Sequence, residues 1–449
     1  MFDNTKLHWR EKVGYSLGDM ASNFYWRVFD LFLFIFYTDV FGLSAAAVGT
    51  MMLVTRLFDA ISDPLMGALA DRTTTRFGKF RPYLLWGAIP LAVAGVLTFT
   101  VPDTDPAGQY LWAFGTYTFM MLAYTFINVP YGALMGVMTG DSQQRTQLTS
   151  FRFIAAFSGG TLVAYLTPEL VILLGNGDDI TGWQLTMACY GTVAIILFAT
   201  TFMLTRERIQ PFAIRQSSVW QDIRDLGHNK PWQILFLLAL VIMITISLRG
   251  SAGTFYLKYY VGREDLIGAF SMVYMLSLAV GAAMTPLLCK YVEKRQLLML
   301  LMGTVTLCSV VMYFVPADQL AVIFVLQCLI GLGLGPKSPL VFSMYADTAD
   351  YGEWKLGRRA TAMIFSAAAF AQKLGGALAG ATIGWVLASM GYVANQAQSD
   401  ASQSGILLLM TVIPAFFTAL SVVIAYRYSL NQSELNTIHQ SLAGRGRKR

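Results

Sequence analysis

Histidine and cysteine are scarce in this chain, and neither stands where chemistry would use it. The three histidines, His8, His228 and His439, fall in polar segments near the start, middle and end of the 449-residue sequence. An imidazole proton relay inside an apolar layer is thereby excluded. The four cysteines, Cys189, Cys289, Cys308 and Cys328, sit in apolar runs at no recognisable spacing, so neither a metal site nor a disulfide framework is indicated. No nucleophile with a neighbouring base stands out and no soluble domain is appended, so an enzyme is not expected. Charge is short as well: 13% of residues are charged against 55% hydrophobic, and the mean hydropathy is +0.54. That balance does not fit a soluble protein of this length. The polar lead from Met1 to Lys12 runs into no short apolar core with a small-residue cleavage site, so no removable signal peptide is expected.

What the chain has in quantity is apolar sequence of membrane-spanning length. A span needs about 20 apolar residues, and roughly twelve such segments are present, near 13–41, 45–70, 82–102, 109–139, 148–174, 184–205, 232–260, 266–291, 296–315, 319–346, 360–389 and 405–427. The expected fold class is therefore an all-α integral membrane protein. The net charge of +6 is read through its sidedness and not as a sign of nucleic acid. Lys and Arg crowd alternate connections, as in Arg72, Arg76, Lys79 and Arg81, or Lys290, Lys294 and Arg295, whereas the opposite connections hold only Lys258 and Arg263. By the positive-inside rule both termini are cytoplasmic and the number of spans is even. The expected location is the cytoplasmic (inner) membrane.

The one long connection, 206–231, is basic and lies midway, dividing a six-helix half at 1–205 from a second at 232–428, with a basic tail at 429–449. Within it Val219, Trp220, Ile223 and Leu226 recur at helical spacing, which predicts a short helix on the membrane surface. The halves look related: Asn128-Val-Pro130 and Lys337-Ser-Pro339 are followed at the same distance by Asp141 and Asp350, as in transporters built from repeats.

The most telling residues are three charges in the second segment, Arg56, Asp59 and Asp63. At about 100° per residue, 59 and 63 differ by roughly 40° and Arg56 lies within about 60° of both, so the three share one stripe. A charge facing hydrocarbon costs about 2.5–3.5 kcal/mol on insertion scales, so this stripe faces a polar interior. A structural ion pair would account for one acid only, because a single Arg balances one. Two carboxylates one turn apart are a site for a small cation: a bare sodium ion wants oxygen ligands, which Asp59, Asp63, the Ser62 hydroxyl and, from the fourth segment, Thr125 can supply. A proton would need only one acid. Sodium and proton both remain open at this point.

A second set of polar and aromatic residues is spread over several segments: Asn23, Tyr25, Trp26, Arg27, Asp30, Tyr124, Asn128, Arg152, Arg249, Lys337, Gln372 and Lys373. Amide, guanidinium and ammonium groups beside aromatic rings suit a polyhydroxylated ligand, giving directional hydrogen bonds to hydroxyls and flat faces to sugar C–H groups. A third constellation leaves the second segment: Gly67, Asp71, Arg72, Arg76, Gly78 and Lys79. Their offsets resemble the Gly-x-x-x-Asp-Arg-x-x-x-Arg-x-Gly loop signature of the major facilitator superfamily. Gly67 permits close helix approach there, and Asp71 can pair with a neighbouring cation to hold one gate conformation.

The resemblance narrows with Tyr37-Thr-Asp-Val-Phe-Gly42, Phe58-Asp-Ala-Ile-Ser-Asp-Pro-Leu-Met-Gly67, Arg76-Phe-Gly-Lys-Phe-Arg-Pro82, Asn128-Val-Pro-Tyr131 and Asp347-Thr-Ala-Asp-Tyr-Gly-Glu-Trp-Lys355. These look like the motifs of the glycoside-pentoside-hexuronide:cation symporter family, whose best-known member is melibiose permease. The resemblance runs over nearly the whole chain. It implies the twelve-helix major facilitator fold, cation ligation by Asp59, Asp63 and Thr125, and basic residues near sugar and cation at Arg152 and Lys373. It implies gating acids at Asp347 and Asp350, a small sugar as substrate, lipid surroundings and function as a monomer. The chain departs from melibiose permease in having Asn23 and Asn128 where that protein has sugar-binding aspartates, and Ser62 between the cation-site acids. That form looks more like the pentoside and glucuronide carriers. The expected function is cation-coupled symport of a pentoside or xyloside, with a hexuronide second and proton-driven export of amphipathic compounds third.

Overall fold

The computed structural model describes residues 7–139, 142–208, 224, 226–356 and 361–446, and helices account for nearly all of its regular structure. The first is α1 (Trp9–Leu31), which continues through Leu33–Ile35 into a π-helical turn at Phe36–Val40. Then come α2 (Ala45–Arg72), α3 (Arg81–Thr98), α4 (Pro106–Met138), α5 (Ser142–Gly175) and α6 (Asp179–Leu204). The second set opens with α7 (Lys230–Phe255), again continued by a π turn, Tyr256–Val261, and then α8 (Ile267–Leu288) and α9 (Lys294–Tyr313). It closes with α10 (Leu320–Leu334), α11 (Lys337–Leu356), α12 (Thr361–Ser389), α13 (Asp400–Met410), α14 (Val412–Tyr426) and α15 (Gln432–Gly446). Most of the surface-helix expectation in the 206–231 connection, and Asp141, lie outside the described residues.

Local chemistry sets several boundaries. Ser44 accepts from the Ala47 N–H at the start of α2, and Asn229 caps α7 through the Trp232 N–H, each satisfying one of the unpaired donors of a helix start. Gly262, at φ +72°, ends the π turn of α7 in the left-handed conformation, where glycine carries no Cβ penalty. The break between α13 and α14 at Thr411 follows from Pro414, which has no N–H to give the carbonyl of Met410.

Ten helical segments among the described residues are long and apolar enough to cross a membrane, and the chain is an integral membrane protein. Alpha1 and α12 are long helices outside that set of ten. Alpha1 packs along α5 and α6, while α12 lies between α2 and α7. These two carry much of the charge: Asp19, Arg27, Asp30 and Asp39 in α1 and its extension, and Lys373 in α12. The usual amphipathic rule is reversed on α2, where Ile61, Leu65 and Leu69 are 65%, 68% and 53% exposed while Arg56 and Asp59 are buried. Its apolar face points to the surroundings and its charged face inward, as a lipid solvent requires.

The two sets mirror each other. The first helix of each ends in a π turn, and, with α10 and α11 counted as the single span Leu320–Lys355, the second span of each set packs on the fifth of the other: α2 on α12, α8 on α5. That reciprocity is what two repeats related by an axis along the membrane normal produce. The contact is tight at the end opposite the Arg72–Arg81 loop. A Cβ on Gly49 of α2 would stand 3.0 Å from the Gly380 carbonyl oxygen of α12, and one on Gly268 of α8 would stand 2.9 Å from that of Tyr165 in α5.

Candidate ion and substrate site

Asp59 and Asp63 come together with two partners from other helices. The Thr125 hydroxyl of α4 is shared between them, lying 2.7 Å from the Asp59 carboxylate and 3.1 Å from that of Asp63. Lys373 of α12 reaches across from the second half, with Nζ 2.8 Å from Asp59 Oδ2 and hydrogen-bonded to Asp63 as well. Asp59 is 1% exposed on its side chain, whereas Asp63 is 28% exposed, so Asp63 is the more accessible of the two. Two carboxylates face one ammonium. The cluster therefore has room for one more positive charge, and its oxygens are the hard donors that an alkali cation or a proton takes.

Two expected members fall elsewhere. The Ser62 hydroxyl donates to the Asp59 main-chain oxygen at 2.8 Å, a bond back to the preceding turn that serines within helices commonly make. Ser62 is thus turned to its own backbone and away from the carboxylates. Arg56 stacks over the Trp26 ring with its guanidinium 5.0 Å from the centroid and lies against Gly376 of α12. Its charge acts on Asp30 and then on Asp59, which makes it a balancer between two acids.

The expected substrate residues stand on α1, α4, α5 and, for Lys373, α12. Tyr124 faces Trp26 with ring centroids 5.5 Å apart, and Asn128, one turn beyond Thr125, is half-buried. The Asn23 amide donates to the Asp19 main-chain oxygen at 2.8 Å. Arg152 lies over the Tyr131 ring at 5.3 Å and pairs with Asp19 at 3.1 Å. Asp19 is an acid that sequence reasoning passed over, although it shares a helical face with Asn23, one turn on. Arg27 pairs weakly with Asp30 at 3.4 Å. Arg249 has its partners elsewhere: its guanidinium is buried in the second half, donating to the Met410 carbonyl at 2.7 Å and to Gln327 at 2.5 Å.

In the loop after α2, the close approach expected at Gly67 is not found. A Cβ there would meet only Val129 at 3.9 Å, because the halves touch at the opposite end of α2. The Asp71 side chain lies outside the described part, Arg72 is exposed, and Arg76 covers the Phe77 ring at 4.6 Å. The residue that holds this loop is one that sequence reasoning missed. Glu207, just past α6, accepts the backbone N–H groups of Lys79, Phe80 and Arg81 at 2.8, 2.8 and 2.9 Å. It occupies the anion-binding N-terminus of α3. Asp347 pairs with Lys294 at 2.8 Å within the second half, and Asp350 is half-buried.

A closed set of contacts seals the opposite end. Asp39, in the π turn of α1, lies 3.0 Å from Lys258 Nζ and accepts the hydroxyls of Tyr259 and Tyr392, while Asn395 donates to its main-chain oxygen. All four partners belong to the second half.

A membrane-embedded bundle of two six-helix halves, with carboxylates of one half and a lysine of the other paired at their junction, is a transporter of the major facilitator fold. The chain belongs to the MFS/sugar transport protein family, whose model matches residues 14–432. It is 39% identical to the inner membrane symporter YicJ of Escherichia coli (strain K12), over 98% of this chain and 96% of that protein. It is 32% identical to the glucuronide carrier protein homolog of the same organism, over 97% of this chain and 95% of that one. Identity to the isoprimeverose transporter of Lactiplantibacillus pentosus is 31%, over 95% of this chain and 90% of that one. Among solved structures, a bacterial homologue of the human lysosomal transporter Spinster superposes with a TM-score of 0.66 at 12% identity, covering 96% of this chain and 97% of that one. These relatives are named symporters and sugar carriers, and sugar transport is the function they support.

Proposed function

We propose that the chain is a secondary transporter that couples the inward movement of sodium or a proton to the uptake of a glycoside, working by alternating access across the inner membrane with both termini cytoplasmic and twelve spans. The observation that carries the proposal is the cluster of Asp59, Asp63, Thr125 and Lys373. Its carboxylates belong to one half and its ammonium to the other. A cation that binds between the carboxylates competes with Lys373 and loosens α12 from α2, so ion occupancy changes the relation of the halves. Coupling requires such a differential interaction: ion and sugar must each favour the state that the other needs. The Asp39 cluster, on the expected outer side, closes the bundle there, and Asp71, Arg72, Arg76, Asp347 and Asp350 belong to the opposite gate.

The sugar lies between Asn23, Tyr124, Asn128 and Arg152. Asn23 and Asn128 favour a neutral pentoside, in keeping with the isoprimeverose transporter among the relatives. A hexuronide is the second reading, favoured by the buried Nε of Arg27, which has no partner, and in keeping with the glucuronide carrier homolog. The test is uptake of labelled glycosides into vesicles with and without a sodium or proton gradient. Gradient-driven accumulation that is lost in Asp63→Asn is the expected result; accumulation indifferent to both gradients overturns the proposal.

A further inference from the structure

The ion cluster lies one helical turn from a second layer of contacts that joins the same helices. In the cluster, Asp59 of α2 meets Thr125 of α4 and Lys373 of α12. Three residues before Asp59, the Arg56 guanidinium rests over the ring of Trp26 in α1, 5.0 Å from its centroid. Three residues after Lys373, Gly376 of α12 lies against that guanidinium: a Cβ on Gly376 would stand 2.8 Å from Arg56 Nη1. One residue before Thr125, the Tyr124 ring faces Trp26, with centroids 5.5 Å apart and planes tilted by 31°. Alpha2, α4 and α12 each lend one residue to the ion cluster and a neighbouring one to this second layer, and Trp26 is what the second layer shares.

Arg56 is 7% exposed and its Nη1 has no hydrogen-bond partner. A desolvated cation of this kind is held by the face of an aromatic ring, and tryptophan holds it best. Glycine at 376 leaves no side chain to keep the guanidinium off α12. Arg56 therefore fills the space between the indole and α12, and a movement of α12 changes how it lies on the ring. Trp26 is half-buried and packed on Tyr124, so a shift of the indole is felt by the tyrosine. Packed side chains that can take two arrangements are a route by which one site alters another.

We infer that Trp26 is a positioning residue that carries ion occupancy to the sugar. A cation that displaces Lys373 moves α12 and with it Gly376, Arg56 reseats on the indole, and the indole sets the Tyr124 ring against the glycoside. This rests on the symport reading above and assigns its coupling to particular contacts. An indole offers no hard oxygen donor, so Trp26 is not an ion ligand; it acts through Tyr124.

The experiment is thermal melting of the purified full-length protein with p-nitrophenyl β-D-xyloside and p-nitrophenyl β-D-glucuronide as probes, in sodium against choline chloride and at acid against neutral pH. The concentration dependence of the melting shift gives an apparent Kd in each condition. The ratio of Kd without the coupling ion to Kd with it is the coupling, expected at about fivefold or more in the wild type. Trp26→Leu is expected to bring that ratio below about twofold, whereas Trp26→Phe, which keeps a ring face for Arg56, retains most of it. Gly376→Ala reaches the same end from α12, because the added methyl displaces Arg56 and leaves Trp26 in place. A role in packing alone would weaken the probe equally with and without the ion and leave the ratio at its wild-type value. A wild-type ratio in both Trp26→Leu and Gly376→Ala overturns the inference and leaves coupling to Thr125 and α4, with symport standing. A wild type that binds neither probe, or binds one with no dependence on sodium or pH, overturns the symport reading and the inference with it.

Discussion

Lys258 Nζ lies 3.0 Å from the carboxylate of Asp39, and the pair crosses from one half of the protein to the other. Each residue sits in the π turn that ends the first helix of its half, so the contact is placed by the repeat itself. Asp39 is 2% exposed on its side chain and also receives two tyrosine hydroxyls. Asp39→Asn keeps an acceptor oxygen but discards the charge, at a cost of roughly 1–3 kcal/mol to the closed end. Spin labels on Thr104 and Val393, one on each half near this end, report the change: electron–electron distances in the variant are expected to lengthen and broaden. An unchanged distribution would show that the glycine contacts of α2 with α12 and of α8 with α5 hold this end alone.

Lys373 occupies the ion cluster as an internal cation. Lys373→Gln removes the competitor and leaves Asp59 and Asp63 facing each other with only Thr125 between them. Sodium is then expected to stabilise the variant against heat more than it stabilises the wild type, because nothing has to be displaced, while gradient-driven accumulation of sugar falls. Melting curves in sodium against choline chloride check the first part and vesicle uptake the second. A smaller sodium response in Lys373→Gln would mean that the ammonium organises the carboxylates for the ion.

Much of this organisation is legible in the sequence, for a physical reason. Charges in apolar segments are rare and costly, so Asp59, Asp63 and Lys373 announce themselves, and helical spacing puts Asp59 and Asp63 on one face. The helices follow from length and apolarity alone. What the sequence hides is the choice of partner. Glu207 is an ordinary acid after a helix until the fold brings three N–H groups of a loop 126–128 residues away onto it. Asp19 is invisible as a partner of Arg152 until α1 and α5 pack together, 133 residues apart. Position alone points to Ser62 and Gly67, but a serine in a helix can bond its own backbone, and the spacing at a glycine depends on which end of the bundle is closed.

The loop after α2 has a test of its own. Gly78 has φ +113°, and a Cβ there would fall 2.5 Å from Glu207 Oε1. Gly78→Ala therefore combines backbone strain of about 1–3 kcal/mol with loss of the carboxylate's three N–H partners. A melting temperature lowered by several degrees is expected, together with faster proteolysis between Thr73 and Phe80. Glu207→Gln, which keeps an acceptor and the glycine, is expected to do less. Equal losses would place the whole effect in the charge at the start of α3.

Arg249 separates a structural cation from a substrate ligand. It is 1% exposed, and it donates to the Met410 carbonyl, which Pro414 leaves without a helical partner, and to Gln327. Arg249→Met fills much of the volume but leaves that carbonyl and that amide unpaired in the core of the second half, at about 1–3 kcal/mol for each. Arg249→Lys restores the charge without the planar fork that reaches both acceptors. Both variants are expected to melt several degrees below the wild type, with apparent Kd values for glycosides unchanged in the protein that remains folded. The reverse result, a wild-type melting temperature with weakened glycoside binding, would place Arg249 against the substrate and require the second half to open around it.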